Sequence, residues 1–141
     1  MKRTMVLLAA ALSLVAGAAF AGLQQPAEVI VDFDNGFASG DQYTARTSKN
    51  DVEFIGCGTR NFDDGTFSFT FNFCQASDGD GNSVVCTTEN PVLINAIEEI
   101  SDFAYITFSW DDDGSGVLEC IRVGSSTQSF YLPNFTTKGK N

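Results

Sequence analysis

Two acidic loops hold the side chains best suited to chemistry in this chain of 141 residues. In the first loop, Asp78, Asp80 and Asn82 place oxygen atoms at alternate positions, which is the spacing found in calcium-binding loops. In the second loop, Asp111 and Asp113 repeat this alternation. The pattern therefore predicts Ca²⁺ as the candidate bound ion, and all five residues as its candidate ligands.

The same loops can also be ordinary hairpin turns. Asp, Asn and Gly build such turns because they tolerate positive φ angles and bond to their own backbone. Ser83 stands where an EF-hand loop requires glycine, and Arg122 stands where the second loop would need its closing carboxylate. The sequence thus favours turns, with a calcium-binding extracellular protein as the alternative.

The sequence contains no histidine, which limits the available catalytic chemistry. Ser-His-Asp and Cys-His catalysis are excluded, together with the enzymes that hold zinc by histidine. A pair of carboxylates could still hydrolyse a glycoside. However, a chain of this length with short loops leaves little material for a sugar-binding cleft. The sequence therefore predicts no catalytic residues and no cofactor, and a small carboxylate-based hydrolase is the second alternative.

The first 21 residues have the pattern of a secretory signal peptide. Lys2 and Arg3 precede an apolar run, and Ala19 and Ala21 provide a small-x-small cleavage site. We expect a soluble protein in the periplasm or the medium, because no apolar run is long enough for a comfortable membrane span. Residues 22–132 should form a single β-rich domain and residues 133–141 a flexible tail.

The chain is strongly acidic, with 8 Lys and Arg residues against 18 Asp and Glu residues and a net charge of −10. Loss of the two basic residues of the predicted signal peptide would make the charge still more negative. Such a surface repels nucleic acids and anionic membranes. The expected partner is therefore a protein or a saccharide.

Four cysteines, Cys57, Cys74, Cys86 and Cys120, remain after the predicted signal peptide. An even number in an exported chain predicts two disulfides, for which three pairings exist. The strand–loop–strand pattern around Asp80 brings Cys74 and Cys86 together. We therefore predict the pairs Cys74–Cys86 and Cys57–Cys120.

A regular run of phenylalanines, Phe67, Phe69, Phe71 and Phe73, alternates with small polar residues. This period predicts a strand with one apolar face. We expect that face to belong to the core together with Ile106, Phe108 and Trp110. A cavity that holds a lipid or another ligand is the alternative interpretation of the run.

One helix is predicted near residues 91–101, because Asn90 suits an N-cap and Pro91 suits the first helical position. The remaining patterns predict strands at 28–33, 42–47, 52–57, 103–110, 117–123 and 129–132, with a loop at 37–41. The expected fold class is mainly β, bordering on α+β. It would be an antiparallel sheet or a small sandwich of about six to seven strands with one helix and two disulfides.

The last predicted hairpin has a conflict in its register. If Trp110 pairs with Val117, Phe108 faces Glu119, so we expect either a bulge or a shift of one residue. Tyr105, Thr107 and Arg122 should lie together on the outer face of this hairpin. They form the predicted contact patch for a partner.

Several segments together resemble a set of small exported proteins of Gram-negative bacteria that have two cysteine pairs and no assigned function. These segments are ARTSKNDVEFIGC, the C-x11-C hairpin, NPVLINAIEEIS, AYITFSW and ECIRV, and they span about residues 45–132. The resemblance implies bacterial export and a β domain with paired cysteines. With the composition, it leads us to expect a non-catalytic accessory or binding domain of unknown ligand.

Overall fold

The computed structural model describes residues 22–112 and 114–133. The predicted signal peptide, the predicted metal ligand Asp113 and the predicted tail beyond Pro133 lie outside the described residues.

The described chain forms a mixed sheet of seven strands, with two helices and a 3₁₀ turn, and two disulfides. The strand order is β1-β2-β6-β7-β5-β4-β3, and every neighbouring pair is antiparallel except β5 with β7. The predicted mainly β fold is confirmed. The elements are β1 (Ile30–Asp32), β2 (Phe37–Asp41), α1 (Gln42–Thr47), β3 (Phe54–Asp63), β4 (Ser68–Ser77), β5 (Ser83–Thr88), α2 (Pro91–Glu98), β6 (Tyr105–Asp111), β7 (Glu119–Ser126) and the 3₁₀ turn η1 (Ser129–Tyr131).

The core lies against one face of the sheet, which we call the inner face. Alternation along β6 points Ile106, Phe108 and Trp110 to this face. The helix α2 covers part of it and contributes the buried Ile97, as its apolar spacing predicts. Other core residues are small or β-branched: Val29, Val31, Ala38, Ala45, Ile55, Ala76, Val84 and Ala104.

The sheet curves until its two ends meet. β1 lies at one end of the strand order, and β3 and β4 lie at the other. The backbone N–H of Val29 nevertheless donates to Glu53 Oε1 at 2.8 Å, just before β3 begins. The N–H of Val31 donates to the Asp78 carboxylate, just after β4 ends. Two carboxylates therefore accept hydrogen bonds from β1 and the residue before it, and link the ends of the sheet.

The predicted cysteine pairing, Cys74–Cys86 with Cys57–Cys120, is wrong, because the disulfides join Cys57 to Cys74 and Cys86 to Cys120. Cys74 does lie opposite Cys86, as the hairpin pattern predicts, but it also lies opposite Cys57. The Cα atoms of Cys57 and Cys74 are 4.0 Å apart, the narrow spacing of a pair without mutual hydrogen bonds. The backbone N–H and C=O groups of Cys74 then point towards Cys86. Cys74 and Cys86 therefore form the wider, hydrogen-bonded type of pair, which a disulfide spans less readily. Cys86 is left to pair with Cys120 of β7.

The last hairpin pairs in a different register from the one that produced the conflict, and it also contains a bulge in β7. Phe108 faces Val123 and Trp110 faces Cys120, so the register shifts between Ser109 and Trp110 and leaves Ile121 as the extra residue. Glu119 then faces Asp111 at the end of the pair, where both side chains are exposed. A bulge, one of the two alternatives that the sequence left open, is therefore present, and Trp110 does not pair with Val117.

Three short segments differ from the sequence-based expectation. Residues 37–41 form β2 rather than a loop, and residues 42–47 form α1 rather than a weak strand. Helix α1 begins at that point because Asp41 acts as its N-cap, with Oδ1 accepting from Thr44 N at 2.7 Å. Residues 129–131 form a 3₁₀ turn rather than a last strand. Among the described residues, no helix is long and apolar enough to cross a bilayer.

The disulfides should contribute unequally to stability. Replacing Cys86 and Cys120 by alanine should cost about 4 kcal/mol of unfolding free energy, because that bridge closes the longer loop. The same change at Cys57 and Cys74 should cost about 3 kcal/mol. Urea unfolding of each double variant measures both values.

The pairing itself can be checked by cleavage before Asp78, under denaturing but non-reducing conditions. The cut falls between Cys74 and Cys86, so the observed pairing should give two separate fragments, each with its own disulfide. Either of the other two pairings would keep the fragments covalently joined.

Candidate functional site: an exposed aromatic hairpin

The run of phenylalanines lies on the outer face of the sheet, so the predicted core face is wrong for most of its length. Phe67 is 60% exposed and Phe69 is 47% exposed, whereas Phe73 is buried against the sheet. The reason is parity along β4. The buried Cys74 points to the inner face, and residues an odd number of positions away must point outwards.

The exposed rings stand on a hairpin that extends beyond the rest of the sheet. β3 and β4 pair along their whole length, but β5 pairs only with residues 72–77 of β4. The outer half of the hairpin is therefore a two-stranded ribbon. A ribbon of this kind has no third strand or helix to cover its apolar side.

One side of the ribbon is aromatic. Phe62 of β3 lies opposite Phe69, is 50% exposed, and joins the three exposed or half-buried phenylalanines from the second strand. We call the set Phe62, Phe67, Phe69 and Phe71 the aromatic face.

The rings of the aromatic face pack against one another along the hairpin. Successive ring centroids are 5.9 Å apart for Phe67 and Phe69 and 5.5 Å apart for Phe69 and Phe71, which are stacked at 15°. Phe62 lies 6.5 Å from Phe67 and 6.3 Å from Phe69. Phe69 and Phe71 therefore share part of their π-faces, whereas the other pairs are tilted by 30° to 47°.

The other side of the ribbon is polar and internally bonded. Thr70 Oγ1 donates to Asn61 Oδ1 at 2.8 Å, and Asn72 Nδ2 donates to Thr59 Oγ1 at 2.8 Å. The hairpin is thus amphipathic, with its shape held by polar contacts on one side and an unpartnered apolar surface on the other.

A cation lies at the base of the aromatic face. The Arg60 guanidinium carbon is 4.6 Å from the centre of the Phe73 ring, which is a cation–π distance. Gly58 lies beside the same ring, and an added Cβ there would make an ordinary contact with it at 3.5 Å. Arg60 is exposed on the outer face.

The tip of the hairpin is acidic. Asp63 Oδ1 accepts from Gly65 N at 2.8 Å, and Gly65 adopts the positive φ of +82° that this turn requires. Asp64 Oδ1 accepts from the N–H groups of Phe67 and Thr66. These backbone bonds, that from Phe67 first, hold the pKa of Asp64 below its usual value. The tip therefore carries charge immediately beside the apolar rings.

The first predicted calcium loop is held together by its own hydrogen bonds. Asp78 Oδ1 accepts from Asp80 N at 3.0 Å and Asn82 N at 2.9 Å, while Oδ2 accepts from Asn82 Nδ2 at 2.9 Å. Partial burial raises the pKa of Asp78, but the bonds from Asn82, Asp80 and Val31 outweigh that effect and lower it. Asp78 therefore organises the turn and also receives the N–H from β1.

The second predicted calcium loop is only partly described. Asp111 Oδ1 accepts from Asp112 N at 3.0 Å, and Asp112 Oδ1 accepts from Gly114 N at 2.8 Å. Asp113 lies outside the described residues. Within the described ranges, no three His, Cys, Asp or Glu side chains converge on a point where a metal ion could sit. Calcium binding by either loop stays a prediction.

The predicted contact patch shares one face of the last hairpin. Tyr105 and Thr107 alternate along β6, and Arg122 of β7 faces the next outward residue, Ser109. Tyr105 is covered on one side, because its ring stacks on Tyr131 of η1 at 5.4 Å. Its role as a contact residue stays a prediction.

A cleft of about 440 Å³ lies between α1 and η1 and contains carboxylates. Asp41 Oδ2 accepts from Ala27 N at 2.6 Å and its other oxygen caps α1. Glu53 accepts from Val29 N and Asn50 Nδ2. Burial raises the pKa of Tyr131 at its rim. Both carboxylates serve backbone or amide donors, so the arrangement favours a structural role.

Sequence reasoning missed Phe62 and placed the aromatic residues inside. The sequence contains the information needed, because Cys74 lies an odd number of positions from each of the four phenylalanines of the run. When Cys74 faces the core, these phenylalanines must face outwards. Comparison with protein-family models, curated proteins and solved structures gave no match.

Two substitutions distinguish a structural aspartate from an exposed one. Asp78→Ala should cost about 1–2 kcal/mol of unfolding free energy, because several donors lose their acceptor. Asp80→Ala should cost under about 0.5 kcal/mol, since its exposed carboxylate accepts no bond from the described part of the chain. Chemical unfolding of both variants measures the difference.

The contribution of Asp78 should also depend on pH. Its pKa is lower in the folded chain than its ordinary value of 3.8. The stabilisation is therefore fully present above that value and is lost as pH falls through the lower folded-state pKa. The stability gap between wild type and Asp78→Asn should shrink in that acid range, and a gap that stayed constant would contradict this assignment.

Calcium should add no more thermal stability than magnesium, because N–H donors already occupy both oxygens of Asp78. An ion at a hundred times its dissociation constant would add about 2.7 kcal/mol. Melting of the oxidised protein in millimolar calcium, in magnesium and in chelator measures this. A rise of several degrees in calcium that Asp78→Ala removes would establish the calcium site instead.

Proposed function

We propose that this protein is an exported, non-catalytic binding domain that docks through its aromatic face onto an apolar, basic surface of a partner protein. The observation that carries the proposal is the cluster of exposed phenylalanines on a protruding hairpin.

The exposed rings would contribute binding free energy when a partner covers them. Contiguous apolar patches on soluble domains mark interaction sites more often than single exposed residues do. Burying one Phe side chain contributes about 1.5–3 kcal/mol. Because the four rings are already packed against one another, they need little further ordering when a partner covers them.

The ring arrangement favours a protein over a saccharide. Sugars stack on the flat face of an aromatic ring, and such platforms usually use Trp or Tyr, whose polar edges suit a wet surface. The aromatic face consists of phenylalanine alone, and Phe69 and Phe71 are stacked on each other. Rings without polar edges suit the apolar grooves between the side chains of another protein.

The charge pattern favours a basic partner. Asp63 and Asp64 flank the rings at the tip, and the whole chain has a net charge of −10. These charges oppose contact with nucleic acid or with an anionic bilayer and attract a cationic surface.

The two disulfides support export. Disulfides persist in oxidising compartments such as the periplasm and the extracellular space. Together with the predicted signal peptide, they suit a domain that meets its partner outside the cytoplasm.

Defined probes can test the docking surface without knowledge of the natural partner. We expect the oxidised protein to bind a labelled alternating Leu-Lys peptide in fluorescence anisotropy. It should bind a Leu-Glu peptide, cellohexaose and phosphatidylcholine vesicles more weakly. Phe69→Ser should weaken binding of the Leu-Lys peptide at least tenfold, about 1.4 kcal/mol.

Val85→Ser is the matched control, because Val85 is 52% exposed on the same outer face but lies on β5. It should leave binding and the melting temperature nearly unchanged. Equal binding by wild type and Phe69→Ser would show that charge alone attracts the peptide, and the proposal would fall. Tighter binding of cellohexaose or of vesicles would also overturn it.

A further inference from the structure

The long outer strand of the hairpin has one edge with which no other described strand pairs. β3 has ten residues and pairs with β4 alone. Along this edge, the described residues show one hydrogen bond, from Arg60 Nη1 to Thr59 O at 3.3 Å. Proteins usually protect edges of this length with lysine, proline, a bulge or a covering element.

The orientation of the free groups follows from the disulfide. The narrow pair Cys57–Cys74 shows that the N–H and C=O of Cys57 point away from β4. The same must hold at every second residue, including Thr59 and Asn61. A strand laid beside β3 would therefore find regularly spaced donors and acceptors.

The outer face of β3 is self-complementary about Gly58. Its outward residues in order are Phe54, Gly56, Gly58, Arg60 and Phe62. When a second β3 runs antiparallel with Gly58 facing Gly58, each Phe54 faces Phe62 of the other copy. Each Arg60 then faces Gly56, where an added Cβ would meet nothing within 4 Å.

We propose that two copies of this chain pair edge to edge through β3, with a two-fold axis at Gly58. The axis is perpendicular to the sheet, so both aromatic faces lie on the same side of the joined sheet, one at each end. This goes beyond the proposed function, because it uses the strand edge and, of the aromatic face, only Phe62, so that Phe67, Phe69 and Phe71 stay free.

A second copy fits this edge better than an arbitrary extended peptide. Phe54 and Phe62 of the two copies meet as a cross-strand pair at each end, and each Arg60 faces Gly56 of the other copy. Every outward residue between the two ends therefore has a partner of suitable size. Both copies are acidic, so their mutual repulsion should weaken with added salt. Dimerisation should therefore strengthen with salt, whereas docking of a basic peptide should weaken.

Single cysteines test the register. Gly58→Cys should form an intermolecular disulfide under mild oxidation, because it faces itself across the axis. Its φ is not positive, and a Cβ there makes only ordinary contact with Phe73 at 3.5 Å. Gly56→Cys is the control, since it faces Arg60 of the other copy and should remain largely uncrosslinked. Equal crosslinking of both variants would overturn this register.

Proline variants test the edge without new thiols. Asn61→Pro removes an outward N–H of β3, and Thr70→Pro removes an N–H from the opposite edge of the same hairpin. Each change removes the same Thr70–Asn61 hydrogen bond, so their effects on the fold are matched. We expect Asn61→Pro to weaken dimerisation at least tenfold in sedimentation equilibrium and Thr70→Pro to have little effect.

A wild-type protein that stays monomeric at 0.5 M salt and millimolar protein would overturn the dimer. Equal loss of dimer in both proline variants would also overturn pairing through the β3 edge. Neither result would affect binding of the Leu-Lys peptide to the aromatic face, so the two proposals fail separately.

Discussion

The inward position of Cys74 is the constraint on which the exposed surface depends. Cys57, Cys74 and Cys86 lie in one row across three neighbouring strands, and two disulfides hold that row against the core. Once this row is buried, strand alternation leaves the odd-numbered phenylalanines of the hairpin no position except the outer face. Covalent geometry therefore overrides the tendency of four large apolar side chains to enter the core.

The curvature of the sheet also excludes the phenylalanines of the hairpin from the inner face. Glu53 accepts from Val29 just before β1 and Asp78 accepts from Val31 within it, and these bonds link the two ends of the sheet. Ile106, Phe108 and Trp110, with small residues around them, already fill the enclosed space. A row of additional Phe rings would not fit there at normal packing density. The hairpin instead projects from the closed end with its rings outside.

Local signals in the sequence were sufficient for the parts of the fold that local contacts determine. Asn90 and Pro91 identify α2. The conflict between Phe108 and Glu119 shows that the simplest register of the last hairpin is wrong, but it leaves a bulge and a shift open. The missed elements depend on distant partners. Helix α1 begins at Asp41, whose second oxygen binds the backbone of Ala27, and no local pattern contains that bond. The candidate site was missed because the phenylalanines were assigned to the core from their hydrophobicity alone. The inward position of Cys74 requires residues at odd spacing from it to face outwards.

The order of the cysteines along the chain has a consequence for biogenesis. Each cysteine is joined to the next available one in sequence, first Cys57 with Cys74 and then Cys86 with Cys120. Under the proposed export, a chain that crosses a membrane from its amino end would present the first pair to an oxidant before the second pair emerges. Sequential oxidation would then give the native bonds directly, without later exchange between thiols and disulfides.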